Sequence, residues 1–165
     1  MLKSPLILWI FLAAASSIGS AEAAVRVEPS NLQGLRPLPE QTGKAAVRDY
    51  LQAWQSFSAA FEQNRSDLLD PAFVGTARDK LAQTIQQQAA LGLCTHYQDL
   101  SHDLQIVFYS PDGLSIELID KVEYDLQLLD HDRVKTTQHI NARYVIVLTP
   151  AEVRWRARVF QAVSE

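Results

Sequence analysis

The sequence has a single cysteine, Cys94, so no disulfide can form within the chain and its fold must be held by packing alone. The flank Leu91-Gly92-Leu93 marks that thiol as a buried small hydrophobe. Charge is nearly balanced, 15 Lys and Arg against 19 Asp and Glu for a net of −4. With the basic residues scattered, no cationic stripe exists for a phosphate backbone, and nucleic acid is not an expected partner. Glycine is scarce, at 6 residues, and nowhere forms a phosphate-cradling loop. Serine-nucleophile motifs, internal repeats and low-complexity tracts are also missing. The four histidines never stand at a ligand spacing: His96 and His102, with Asp99 and Asp103, are expected in a connection, and His131 in a turn. No metal and no cofactor are expected.

Long apolar runs are absent too, save one at the N-terminus. After Lys3, residues 6–19 are apolar or small, and Ser20-Ala21-Glu22-Ala23-Ala24 follows. This charged, apolar, small-residue order reads as a cleavable export signal over residues 1–23, with Ala21-Glu22-Ala23 as the A-x-A site. A spanning helix needs about 20 apolar residues, so the mature chain is expected to be soluble, without stable membrane insertion, and periplasmic or extracellular. Residues 24–41 hold prolines and a glycine with no periodicity and read as a linker, although Val25, Val27, Leu32, Leu35 and Leu38 would suit an arm laid on the domain. Residues 42–165 then form one domain.

Within it, Val47, Tyr50, Leu51, Trp54, Phe57 and Phe61 recur at steps of three and four, the stripe of an amphipathic helix. Pro71 breaks the chain, and a second helix is expected from Gly75 to Ala90, stopped by Gly92. From His102 the period becomes two. Leu104, Ile106 and Phe108 form one strand, and Ser110-Pro111-Asp112-Gly113 spells a type I turn. Leu114 to Leu128 is a second strand, Val134 to Leu148 a third after the Asp130-His131-Asp132 turn, and Val153 to Val163 a fourth. Helices followed by consecutive antiparallel strands define an α+β fold, a strongly curved four-stranded meander with helices on one face.

The Val47–Phe61 stripe ending in Leu68-Leu69-Asp70 carries a likeness, together with Val122-Glu123-Tyr124-Asp125-Leu126, Arg143-Tyr144-Val145-Ile146-Val147-Leu148 and Val153-Arg154-Trp155-Arg156. These segments resemble the NTF2-like (cystatin-like) superfamily, in which a bent antiparallel sheet wraps helices into a cone. The resemblance covers residues 43–163 at the level of pattern. It implies a fold that hosts isomerases, dehydratases and binding domains alike, so it transfers no catalytic residue.

Turn-to-turn pairing sets Tyr124 against Gln138, Asp120 against Ala142 and Leu118 against Tyr144. Asp120 is then an acid in an apolar alternation. It either points inward, as a cavity acid with Gln138, Tyr124, Tyr144, Tyr50 and Trp54 around it, or a bulge at Ile119-Asp120-Lys121 turns it outward. The opposite face would display Val145, Val147 and Phe160 among Arg143, Arg154, Arg156 and Arg158, a composition suited to contact. The expected function is that of an exported non-catalytic domain that binds a protein partner or forms a homodimer through that outer sheet face. The alternatives are a pocket for a small apolar ligand and an isomerase or lyase using Asp120.

Overall fold

A computed structural model describes residues 22–32, 34 and 36–163; most of the expected export signal, residues 1–23, lies outside them. Two helices pack on one face of a mixed five-stranded sheet in the order β1-β2-β3-β4-β5. The strands are β1 (Ala24–Val27), β2 (Leu93–Tyr109), β3 (Ile116–Asp130), β4 (Arg133–Pro150) and β5 (Trp155–Val163), and the helices are α1 (Glu40–Gln63) and α2 (Gly75–Ala90).

The apolar stripe of α1 is its core face, with Tyr50, Trp54, Phe57 and Phe61 buried together with Ala46, Ala53 and Ala60. Asn64 ends the helix in the left-handed conformation, and one 3₁₀ turn, Ser66–Leu69, carries the chain to Pro71. Gly92, at φ 71°, closes α2, and its N–H donates to Ala89 O. The Ser110–Gly113 turn forms as its residues dictate, with the Gly113 N–H donating to Ser110 O at 2.9 Å. At the tip of β3–β4, His131 and Asp132 both take positive φ, giving the two-residue turn whose twist matches a hairpin.

Three expectations need correction. The meander has a fifth strand: part of the expected linker, Ala24–Val27, pairs parallel with Ser101–Leu104 of β2. The following segment is bonded along β2, the Glu28 N–H to Leu104 O and the Asn31 N–H to Ile106 O, and Leu32 and Leu38 beyond it pack against the core. Second, β2 begins at Leu93, so the expected connection holding His96 and His102 is strand. Third, the β3–β4 register is shifted by two. Tyr124 lies opposite Ile140, Asp120 opposite Tyr144 and Leu118 opposite Ile146. The tight turn pairs Asp130 with Arg133, and an irregularity between Leu128 and Leu129 leaves Lys135 unmatched. A shift of two keeps each side chain on its face.

Candidate functional site

No bulge occurs at Asp120, which is fully buried on the inner face between Leu118 and Val122; the outward reading is overturned. Burial of a carboxylate is tolerated because partners meet it. The Tyr50 hydroxyl, from α1, donates to Asp120 Oδ2 at 2.6 Å. His102 Nδ1, from β2, lies 2.7 Å from the same oxygen. Asp120 Oδ1 is buried with no hydrogen-bond partner among the described residues. Nearby, Trp54 Nε1 donates to Asp99 Oδ1 at 2.7 Å, and the Trp54 and His102 rings meet edge-on with centroids 5.1 Å apart.

The electrostatics follow from this enclosure. Burial works against a charged His102, but the hydrogen bonds and charges of Asp120 and Asp99 outweigh it and lift the imidazole to a pKa of about 9. At neutral pH His102 is therefore an imidazolium between two carboxylates. Burial, then the charge of Asp120, pushes the Tyr50 hydroxyl well above its ordinary value. Burial likewise raises Tyr97 and Tyr144.

Of the expected pocket residues, Asp120, Tyr50 and Trp54 come together and Tyr124 and Tyr144 stand beside them, their hydroxyls 3.4 Å apart. The Trp54 ring contacts both tyrosines, at 5.8 and 5.4 Å between centroids. Gln138 does not join them. It is exposed and lies opposite Leu126 on the far part of the hairpin, six residues beyond the position facing Asp120, or about 20 Å along a strand. His102 was missed, and extending the Leu104–Ile106 alternation one step back would have found it. Asp49 was missed as well. It is buried, is bonded by Arg48 at 2.9 Å, and accepts the Trp155 N–H at 2.8 Å, tying the start of β5 to α1.

The outer face keeps only part of its expected set. Val145, opposite Ile119, and Val147, opposite Glu117, face away from the helices, and Val159 lies opposite Val147. Phe160 does not. Between Val147 and Leu148 the ladder skips Arg158, so Phe160 turns inward and packs against Trp54, Phe57, Phe73 and Tyr144. The arginines also separate. Arg158 is exposed at the bulge and Arg154 precedes β5. Arg156 donates to Asp70 O and Phe73 O. Arg143 lies directly opposite Lys121.

Among the described residues, grooves open at two places on the surface. One, of about 510 Å³, crosses the outer face at Asp103, Lys121, Glu123, Asn141, Arg143 and Val163. The other, of about 750 Å³, runs between α1 and the N-terminal arm, lined by Val25, Val27, Leu38, Val47, Leu51 and Ile106. Asp120 lines neither. Among the described residues no cluster of three or more His, Cys, Asp or Glu is placed to hold a metal ion, and no helix is long and apolar enough to cross a membrane.

No protein-family model and no curated protein matches this chain. Solved structures do. The intermembrane-space region of the chloroplast protein ARC6 superposes at TM-score 0.64 with 16% identity, over 79% of this chain and 100% of that one. A putative scytalone dehydratase from Novosphingobium aromaticivorans superposes at TM-score 0.52 with 11% identity, over 76% and 89%. An NTF2-like protein of unknown function from Shewanella oneidensis is similar at TM-score 0.44 with 11% identity, over 72% and 98%, too loosely to bear on the site. At these identities the likeness speaks for fold alone: the chain has the NTF2-like fold, as its α1 stripe and tyrosine-bearing strands imply.

Proposed function

We propose that this chain is an exported binding domain that holds a protein partner, or a second copy of itself, against the outer face of its sheet. The observation that carries the reading is the row Ile119, Val145, Val147 and Val159, half-buried on the face without helices and continuous with Arg143 and Lys121. Aliphatic surface bordered by charge is the usual make-up of a contact site. The interior supports the same reading. An isomerase or lyase would need Asp120 and His102 to reach a substrate, yet they are 0% and 2% exposed, and the Trp54 ring packs edge-on against His102. The ARC6 region belongs to an intermembrane space, which fits a domain of this fold working beyond a membrane, as the N-terminal signal implies.

One observation favours a second reading. The groove beside α1 is lined by six aliphatic side chains alongside polar ones such as Lys44, Arg48 and Gln52, and its apolar part would suit a small apolar ligand, away from the cone interior where that ligand was first expected.

Sedimentation of wild type and Val145→Glu, with parallel thermal melts, tests the proposal. A wild type that associates and a folded, monomeric variant support a contact between copies, since a charge placed there is buried unpaired. A wild type that stays monomeric at high micromolar concentration leaves the contact to a different protein. Unfolding of Val145→Glu contradicts its placement on the outer face.

A further inference from the structure

The outer face carries a charge pattern that selects its occupant. Three residues of β3 share that face by alternation, Glu117, Ile119 and Lys121, with Val147, Val145 and Arg143 of β4 opposite them in turn. An acid therefore stands at one end of the aliphatic row and two directly opposed bases at the other. Glu117 is poorly matched where it stands. Its cross-strand neighbours are Phe108 of β2 and Val147 of β4, and it makes no ion pair among the described residues. The other end has a surplus of positive charge. Across the sheet its row reads Asp103, Lys121, Arg143, one acid to two bases, and like charges set opposite each other destabilise a ladder. Glu123, the next outward acid on β3, already lies 3.1 Å from His139.

A second copy of this face supplies what each end lacks. Two sheets stack face to face with their strands roughly aligned, and a two-fold contact presents the same patch from both sides. A two-fold axis running along the strands between β3 and β4 would lay Lys121 over Arg143 of the other copy and add to the repulsion. An axis running across the strands at the Ile119–Val145 row does the opposite. Glu117 and Lys121 are each two residues from Ile119, about 7 Å along β3, so Glu117 of one copy comes to face Lys121 of the other. Ile119 then meets Ile119, Val145 meets Val145, and Arg143 lies over Val147, which its stem can cover. The acid–base pair occurs twice, once on either side of the axis.

We propose that the outer face pairs with a second copy of this chain about a two-fold axis that crosses the strands at Ile119 and Val145, with Glu117 of each copy against Lys121 of the other. The inference rests on the outer-face reading and commits it to one occupant.

Charge exchange tests it. Glu117→Lys and Lys121→Glu, each checked by its thermal melt, should self-associate in sedimentation at least about tenfold more weakly than wild type, since each turns two attractive pairs into repulsive ones. An equimolar mixture of the two variants should associate at close to wild-type strength, because opposite charges then face each other at both pairs. A mixture that associates no better than either variant alone overturns the proposed axis; if Val145→Glu still abolishes association of the otherwise unchanged chain, the outer-face reading stands. A wild type that is monomeric at high micromolar concentration overturns the second copy as occupant and leaves that face to a different protein. Ile119→Cys in a Cys94→Ser background reads the axis without altering charge. A short bis-maleimide should join it to its own copy, but should not join Thr149→Cys, which this arrangement sets about 26 Å from its counterpart. Cross-linking at position 149 in preference to 119 overturns the proposal.

Discussion

His102 gives the sharpest quantitative consequence of the buried network. An unfolded chain presents a histidine with pKa 6.5, and the folded one holds it at about 9. The folded state therefore binds the extra proton, and at 1.36 kcal/mol per pH unit the difference is about 3 kcal/mol of stability. Because the folded pKa is the raised one, this stabilisation is complete below about pH 6.5, declines between 6.5 and 9, and is gone above. The partners are fixed by geometry: Asp120 from β3, Asp99 from β2, and Tyr50 and Trp54 from α1. His139 is raised too, through Asp125 and Glu123, but it is exposed and its contribution is screened by solvent. Urea unfolding at pH 6, 7.5 and 9 should show wild-type stability falling by about 3 kcal/mol across the series. His102→Gln should lose that slope. It should also cost about 3–5 kcal/mol at pH 6, since Asp120 stays buried without the cation. Equal slopes in wild type and variant would refute the imidazolium assignment.

Other expectations follow from packing. Trp54→Ala should cost about 3–5 kcal/mol in denaturant unfolding; a loss below about 1 kcal/mol would show that α1 is misplaced on the sheet. Phe160→Glu should unfold the domain, whereas Val145→Glu should leave its melt near that of wild type, because the Arg158 bulge sends the two side chains to opposite faces. N-terminal sequencing of exported protein should begin at Ala24, and a retained Met1 in a membrane fraction would contradict the signal reading.

The sequence made some elements plain and concealed others for identifiable reasons. The α1 stripe, the Ser110–Gly113 turn and the Leu118–Leu126 alternation were legible because apolar periodicity and turn chemistry agree there. The first half of β2 was hidden by its own site. Its inward positions include Thr95, Asp99 and His102, polar residues that break the apolar alternation, and the ladder slips between Asp99 and Ser101. Phe160 was assigned to the wrong face because a one-residue bulge leaves no mark on composition. Asp120 looked like a misfit only while His102 and Tyr50 stood far from it in sequence. Long-range hydrogen bonds, 18 and 70 residues apart, are where single-sequence periodicity stops.

Site-specific photo-crosslinking from Val145 and Val147, in a cell that expresses the protein, tests the central claim most directly. The account predicts a discrete adduct, with one other polypeptide or with a second copy, from both outer-face positions and none from exposed Leu114 at the far turn. Adducts from Leu114 alone, or none from either valine, would contradict a binding role for this face.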